Sequence, residues 1–225
     1  LYGDYDRRTN KLFDLNTAKT LLQFLKKYWS SPRNTSYDVP IHISFYGGEP
    51  LLNFPFIEEI IRFTKAFDIP GRFFTYGVTT NGVLLGKYMD FLVDNDVTIY
   101  ISLDGNKENN GFRVFHNDTP AYDEIYENTL ALKKKYPDFF DRRVSFNSVL
   151  HTKNSVASVN RYFKDNFEKT SSIFEVNPSG IRPEMRDEFL KTYRNFTESL
   201  YESEDYSLYQ KEMFIQNPNT RETVT

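Results

Sequence analysis

The chain contains no cysteine among its 225 residues. Disulfides, thiolate zinc sites and thiolate-held iron–sulfur clusters are therefore excluded within it. Only three histidines occur, His42, His116 and His151, and no ligand-like spacing relates them. Each reads as a structural residue. Neither sign of charge dominates: 28 basic and 31 acidic residues leave a net charge of −3. That balance gives no electrostatic case for nucleic acid or for an anionic membrane. No apolar run approaches the roughly 20 residues that a membrane helix needs. Leu1 is not an initiator methionine, no signal peptide follows it, and the opening residues read like the middle of a protein. The lack of disulfides and export signals leans towards the cytoplasm.

What is present is ample. Hydrophobic residues make up 39% of the chain and aromatic residues 17%, which argues against general disorder. The length suits one large domain or two small ones, and α/β barrels often run this long. From about residue 15, helical and strand patterns alternate, the signature of an α/β fold with parallel strands. Leu21, Leu22, Phe24, Leu25, Tyr28 and Trp29 recur at helical spacing, with Asn16 or Thr17 as the expected cap. A strand is expected from Val39 to Tyr46 and a helix from Phe56 to Phe67. A second strand follows from Phe73 to Val78, a helix from Lys87 to Asp94, and a third strand from Val97 to Leu103. Asn106 to Pro120 reads as a loop of functional length. Then come a helix from Tyr122 to Tyr136, a strand from Val144 to Leu150 and a helix from Val156 to Phe167. A short strand is expected from Ser172 to Val176. Asn177-Pro178-Ser179-Gly180 breaks the pattern. Helices are expected from Met185 to Tyr201 and from Tyr206 to Ile215, and the polar tail from Gln216 reads as disordered. Asn109-Asn110 and the lysines 133–135 look like low-complexity spots, the latter a solvated helix face.

Three expected strands end in special residues: Gly47-Gly48-Glu49-Pro50, Thr80-Asn81-Gly82, and Ser102-Leu103-Asp104-Gly105. Paired glycines let a backbone approach a ligand, and the proline stops the strand. In a parallel barrel the C-terminal strand ends share one rim, where the ligand site lies. Singly, Thr-Asn-Gly and Asp-Gly are ordinary turns. In this order, each closing a successive strand, they point to a site.

The run from Val39 to about Gly180 resembles the barrel of radical S-adenosylmethionine (SAM) enzymes with a SPASM-type C-terminal extension, such as anaerobic sulfatase-maturating enzymes and peptide maturases. The residues that carry the resemblance are YGGEPLL, TTNGVLL and ISLDG, then Arg113, then the helix opening at Thr119 to Ile125, then Phe146 to Val149. The fold it implies is a partial (β/α) barrel with parallel strands and outer helices, incomplete at its N-terminal side. Residues 1–180 would form the barrel fragment, and 181–225 a helical extension. The resemblance implies that Glu49, with Gly47, Gly48 and Pro50, holds the amino end of SAM through a charge-assisted hydrogen bond. It implies that Ser102 and Arg113 hold the SAM carboxylate, Arg113 through its planar fork. Asp104 would line the rim, Thr80 and Asn81 would lie near the sugar or methionyl group, and Asn147 would point to the ribose. Plainer readings stand beside these. Glu49 can cap the next helix, Asp104 can be a turn residue, Arg113 can be solvent-exposed, and Asn147 can bond a structural partner.

The family builds a [4Fe-4S] cluster on a CxxxCxxC loop that has no counterpart here. Leu1 to Tyr5 resembles the segment after its last cysteine, so the chain looks like an internal piece of a longer protein. By resemblance, the parent would cleave SAM reductively to a 5′-deoxyadenosyl radical and modify a peptide or protein. The chain by itself would be inactive. One alternative is a cysteine-free pseudoenzyme or binding module that takes a nucleoside, peptide or partner protein. An unrelated barrel enzyme would need a lysine or metal-ligand cluster at its strand ends, and none is seen. A missing first strand would leave the Val39 to Tyr46 edge open, to be covered by Leu1 to Leu15 or by a second copy in a dimer.

Overall fold

The computed structural model describes residues 12–35, 39–115, 117–174 and 183–201. His116, the breaker at Asn177 to Gly180, the expected helix at Tyr206 to Ile215 and the polar tail lie outside the described residues. Five parallel strands form one sheet: β1 (Ile41–Phe45), β2 (Phe74–Thr80), β3 (Thr98–Ser102), β4 (Val144–Val149) and β5 (Ser171–Phe174). Their order is β1-β2-β3-β4-β5, so among the described residues β1 and β5 are edges and the sheet is open. The sequence predicts this partial parallel barrel. No described helix is long and apolar enough to cross a membrane.

The helices are α1 (Leu15–Trp29), α2 (Phe54–Lys65), α3 (Leu85–Asp94), α4 (Tyr122–Lys135), α5 (Pro137–Arg143), α6 (Val156–Phe167) and α7 (Arg186–Tyr201). The chain divides into two compact units.

One unit comprises, among the described residues, 12–35, 39–100 and 127–144. Helix α1 starts earlier than expected. Its cap is Asp14, whose carboxylate accepts from the Thr17 backbone N–H at 2.7 Å and the Thr17 hydroxyl at 2.8 Å. An aspartate with a free β-conformation satisfies an orphan helix donor better than the later Asn16 or Thr17 could from inside the helix. β1 begins at Ile41 rather than Val39, after Pro40, which has no N–H to give to a ladder. Ile57, Ile60 and Ile61 of α2 are buried, as are Tyr76 and Val78 of β2. Thr64 and Tyr76 pair their hydroxyls at 2.9 Å, so α2 covers that face of β2. His42 and Ser44 point to the opposite, exposed face of β1, as period-two alternation requires. Phe54 of α2 stacks on Tyr88 of α3, with ring centroids 4.0 Å apart. Helix α5 is absent from the sequence reading, which stops at Tyr136. Pro137 does not end the helical stretch but opens a new one, since a first-turn proline loses no helical hydrogen bond. Phe139 and Phe140 are the buried side of this helix.

The other unit comprises, among the described residues, 101–115, 117–126, 145–174 and 183–201. Helix α6 runs as predicted. Ser155 and Ser158 cap it reciprocally, satisfying two N-terminal donors. Phe146 of β4 is fully buried against Phe163 and Phe167 of α6, at centroid distances of 4.5 and 4.8 Å. These aromatic contacts form part of the core of the unit, with Ile101, Leu103, Val159 and Ile173 also buried. Because strand side chains alternate, Asn147 lies on the face that α6 leaves uncovered.

Candidate cofactor site

The first candidate cluster sits at the ends of β1 and β2. Gly47 follows β1 with φ of 146°, a conformation open to glycine and strained for any side chain. Gly48 is different. It has no positive φ, and a Cβ built on it would meet nothing within 4 Å among the described residues. Among the described residues neither backbone strain nor packing requires glycine there, and the space above its Cα is open. Pro50 opens a 3₁₀ turn, Pro50–Asn53, and Glu49 caps it by accepting from the Leu51 N–H at 3.0 Å. The plainer reading of Glu49 as a cap is thus present in the geometry.

Glu49 does more than cap. The Thr80 hydroxyl donates to Oε1 at 2.8 Å, and the Asn81 backbone N–H donates to Oε2 at 2.7 Å. Residues more than thirty positions apart are tied into one rim, and the half-buried carboxylate is the knot. Asn81 in turn accepts from the Val83 N–H at 3.0 Å through its side-chain oxygen. Sequence reading missed Asn128, whose amide donates to the carbonyls of Gly82 and Val83 at 3.1 and 2.8 Å and so holds the same turn. The signal was Gly86, a glycine inside a helix: a Cβ there would lie 2.4 Å from Asn128 Oδ1. Glycine costs helix stability and so marks a close approach.

The second cluster belongs to the other unit. Asp104, 3% exposed, follows β3. Arg113 donates to both of its oxygens, Nε to Oδ2 at 2.8 Å and Nη2 to Oδ1 at 2.7 Å. The Val149 N–H adds a bond to Oδ1 at 2.8 Å, and His151 Nε2 lies 3.7 Å from Oδ2. Burial alone would raise the Asp104 carboxyl pKa. The Arg113 charge, with the nearby His151 and hydrogen bonds from Arg113 and Val149, outweighs it and holds the group below the usual carboxylate range. The Asp104 backbone is fixed as well: its N–H donates to Asn110 Oδ1 at 3.1 Å, and its carbonyl accepts from Asn154 at 3.1 Å. Asn109 and Asn110, which look like low complexity in sequence, are 8% and 1% exposed. They are parts of this lock.

Ser102 and Asn147 contrast with that lock. Both are half-buried. Neither side chain has a hydrogen-bond partner among the described residues; the Asn147 carbonyl accepts from the Leu103 N–H at 3.0 Å. Among the described residues no group of three His, Asp or Glu is placed to hold a metal ion.

The radical SAM superfamily matches residues 36–165. An uncharacterized protein of Methanocaldococcus jannaschii is 29% identical over 134 residues, which is 59% of this chain and 43% of that protein. Among solved structures, native anSMEcpe with bound AdoMet has a TM-score of 0.63 at 18% identity, covering 89% of this chain and 54% of that one. The same enzyme with AdoMet and the Kp18Cys peptide has a TM-score of 0.63 at 19% identity, covering 89% and 55%. These likenesses concern the fold, and this chain spans about half the length of the proteins it matches. A family match over more than half of the residues, on an open parallel sheet that carries the glycine–glutamate rim, places the chain in the radical SAM superfamily.

Proposed function

We propose that the Gly47-Gly48-Glu49-Pro50 rim binds the amino end of S-adenosylmethionine. One observation carries the reading: Gly48 is a glycine that neither strain nor packing among the described residues demands, with open space above it there and a carboxylate beside it. A ligand backbone lying against that glycine would account for it. Glu49 would take the ammonium in a charge-assisted hydrogen bond. Pro50 fixes the exit of the chain so that the carboxylate stays at the rim. Thr80 and Asn81 support the carboxylate from β2. In the other unit, taken by itself, Ser102 and Asn147 are proposed ligand contacts, because their side-chain polar groups are uncommitted among the described residues. Asp104 and Arg113 are proposed as a brace for the loop that follows β3. When bound with its reductant, SAM supplies a carbon-centred radical for hydrogen abstraction.

The residues present do not fit an iron–sulfur cluster. There is no cysteine to supply a thiolate. The chain's share is therefore binding and orientation of the cofactor, with the cluster and the reductive step supplied from elsewhere in the parent protein. Residues 1–180 remain the proposed barrel part, with 181–225 leading on from it. A peptide or protein is the proposed substrate, supported by the peptide bound in a structurally similar enzyme. The total lack of cysteine favours a second reading, a binding module that retains the rim without the chemistry. Cysteines encoded directly upstream in the same reading frame would exclude that reading.

Calorimetry of the chain with SAM tests the site. Binding should be weak, roughly millimolar, because exposed charged hydrogen bonds contribute about 1 kcal/mol or less each. Glu49→Ala should abolish it. Binding that survives Glu49→Ala unchanged would remove Glu49 from the site.

A further inference from the structure

We propose that Thr80 is the positioning residue of the Glu49 carboxylate, leaving one acceptor direction of that carboxylate free for a primary ammonium. The inference rests on the reading of Glu49 given above. Thr80 is 1% exposed, so it acts through Glu49 rather than by touching ligand.

The direction of its proton follows from its partners. The Gly82 N–H points at Thr80 Oγ1 at 3.1 Å. A backbone N–H can only donate, so at that contact the hydroxyl oxygen accepts. The single hydroxyl proton is then directed to Glu49 Oε1, 2.8 Å away. The Leu51 N–H also donates to Oε1, at 3.0 Å. A carboxylate offers about two acceptor directions per oxygen, so Oε1 is filled. Oε2 receives the Asn81 N–H at 2.7 Å and keeps one direction open. Three donors held by two strand ends thus fix the plane of the carboxylate before any ligand arrives. Binding an ammonium then spends less on ordering the side chain.

The test separates this role from general support of the fold. The chain is titrated with SAM and with the analogue in which hydrogen replaces the α-amino group, in the wild type, Thr80→Val, Thr80→Ala, Thr80→Ser and Glu49→Gln. Urea unfolding accompanies each variant. The wild type should prefer SAM over the analogue. Thr80→Val, or Thr80→Ala should the valine variant unfold, should cut that preference about fivefold, the equivalent of one hydrogen bond. It should leave affinity for the analogue unchanged. Thr80→Ser, which keeps the hydroxyl, should retain the preference. A merely structural residue would weaken both ligands alike, and that result overturns the proposal. It is also overturned if Thr80→Val and Thr80→Ala keep the full preference while Glu49→Gln loses it, which leaves the ammonium reading of Glu49 intact. No preference in the wild type would overturn that reading itself, and the role of Thr80 with it.

Discussion

Asp104 and Glu49 are both carboxylates at the C-terminal end of a parallel strand, yet their surroundings differ. Asp104 is 3% exposed and gripped by a guanidinium fork and a backbone N–H, with a histidine 3.7 Å away. Glu49 is half-buried, touches no cation among the described residues, and stands beside glycines open to space. A buried charge already matched by an opposite charge is committed to the fold. A partly exposed charge held only by neutral donors keeps its capacity for a cationic ligand. The contrast teaches that a strand-end acid in an α/β sheet is judged by what already balances its charge.

Breaking the Asp104 lock should produce the largest effect. Asp104→Ala leaves Arg113 without its counterion and strips the Val149 N–H of its acceptor. The expected loss is about 3–5 kcal/mol, read from urea unfolding. A loss below about 1 kcal/mol would mean that the pair is not a brace.

Acid should find the same difference. The Asp104 pKa is depressed in the folded chain, so the stability it adds is present above the unfolded carboxylate value of about 3.9. That stability is lost as pH falls through the lower folded value. Unfolding curves measured across that window should fall more steeply for the wild type than for Asp104→Asn. Equal slopes would assign the acid sensitivity to other carboxylates.

The two glycines beside Glu49 sharpen the comparison at the smaller end. Gly47→Ala forces a side chain into a φ of 146° and should cost about 1–3 kcal/mol. Gly48→Ala meets open space and should change stability by less than about 0.5 kcal/mol, while weakening SAM in calorimetry. If Gly48→Ala destabilises the chain and leaves binding alone, its glycine serves the fold.

Much of this was legible beforehand. Alternating periods of 3.6 and 2 marked every strand of the sheet and most helices, because burial on one face imposes them locally. The three strand-end motifs were visible because glycine, proline and short polar residues have strong local preferences. Helix α5 was not legible, since Pro137 can either end one helix or begin another and only the burial of Phe139 and Phe140 decides. Asn109 and Asn110 were not legible either, because an asparagine pair carries no sign of what it will bond.

By itself, then, the chain's sequence determined the α/β alternation, the parallel order and the rim on which candidate residues stand, all consequences of short-range pattern. Only the tertiary structure decided which rim residues are spent and which remain available. Asp104 is taken by Arg113, Thr80 is turned inward to Glu49, and Ser102 and Asn147 are left uncommitted among the described residues. The physical reason is that hydrogen-bond capacity is finite and directional. How it is shared depends on atoms brought together from positions dozens of residues apart, and no local period encodes that.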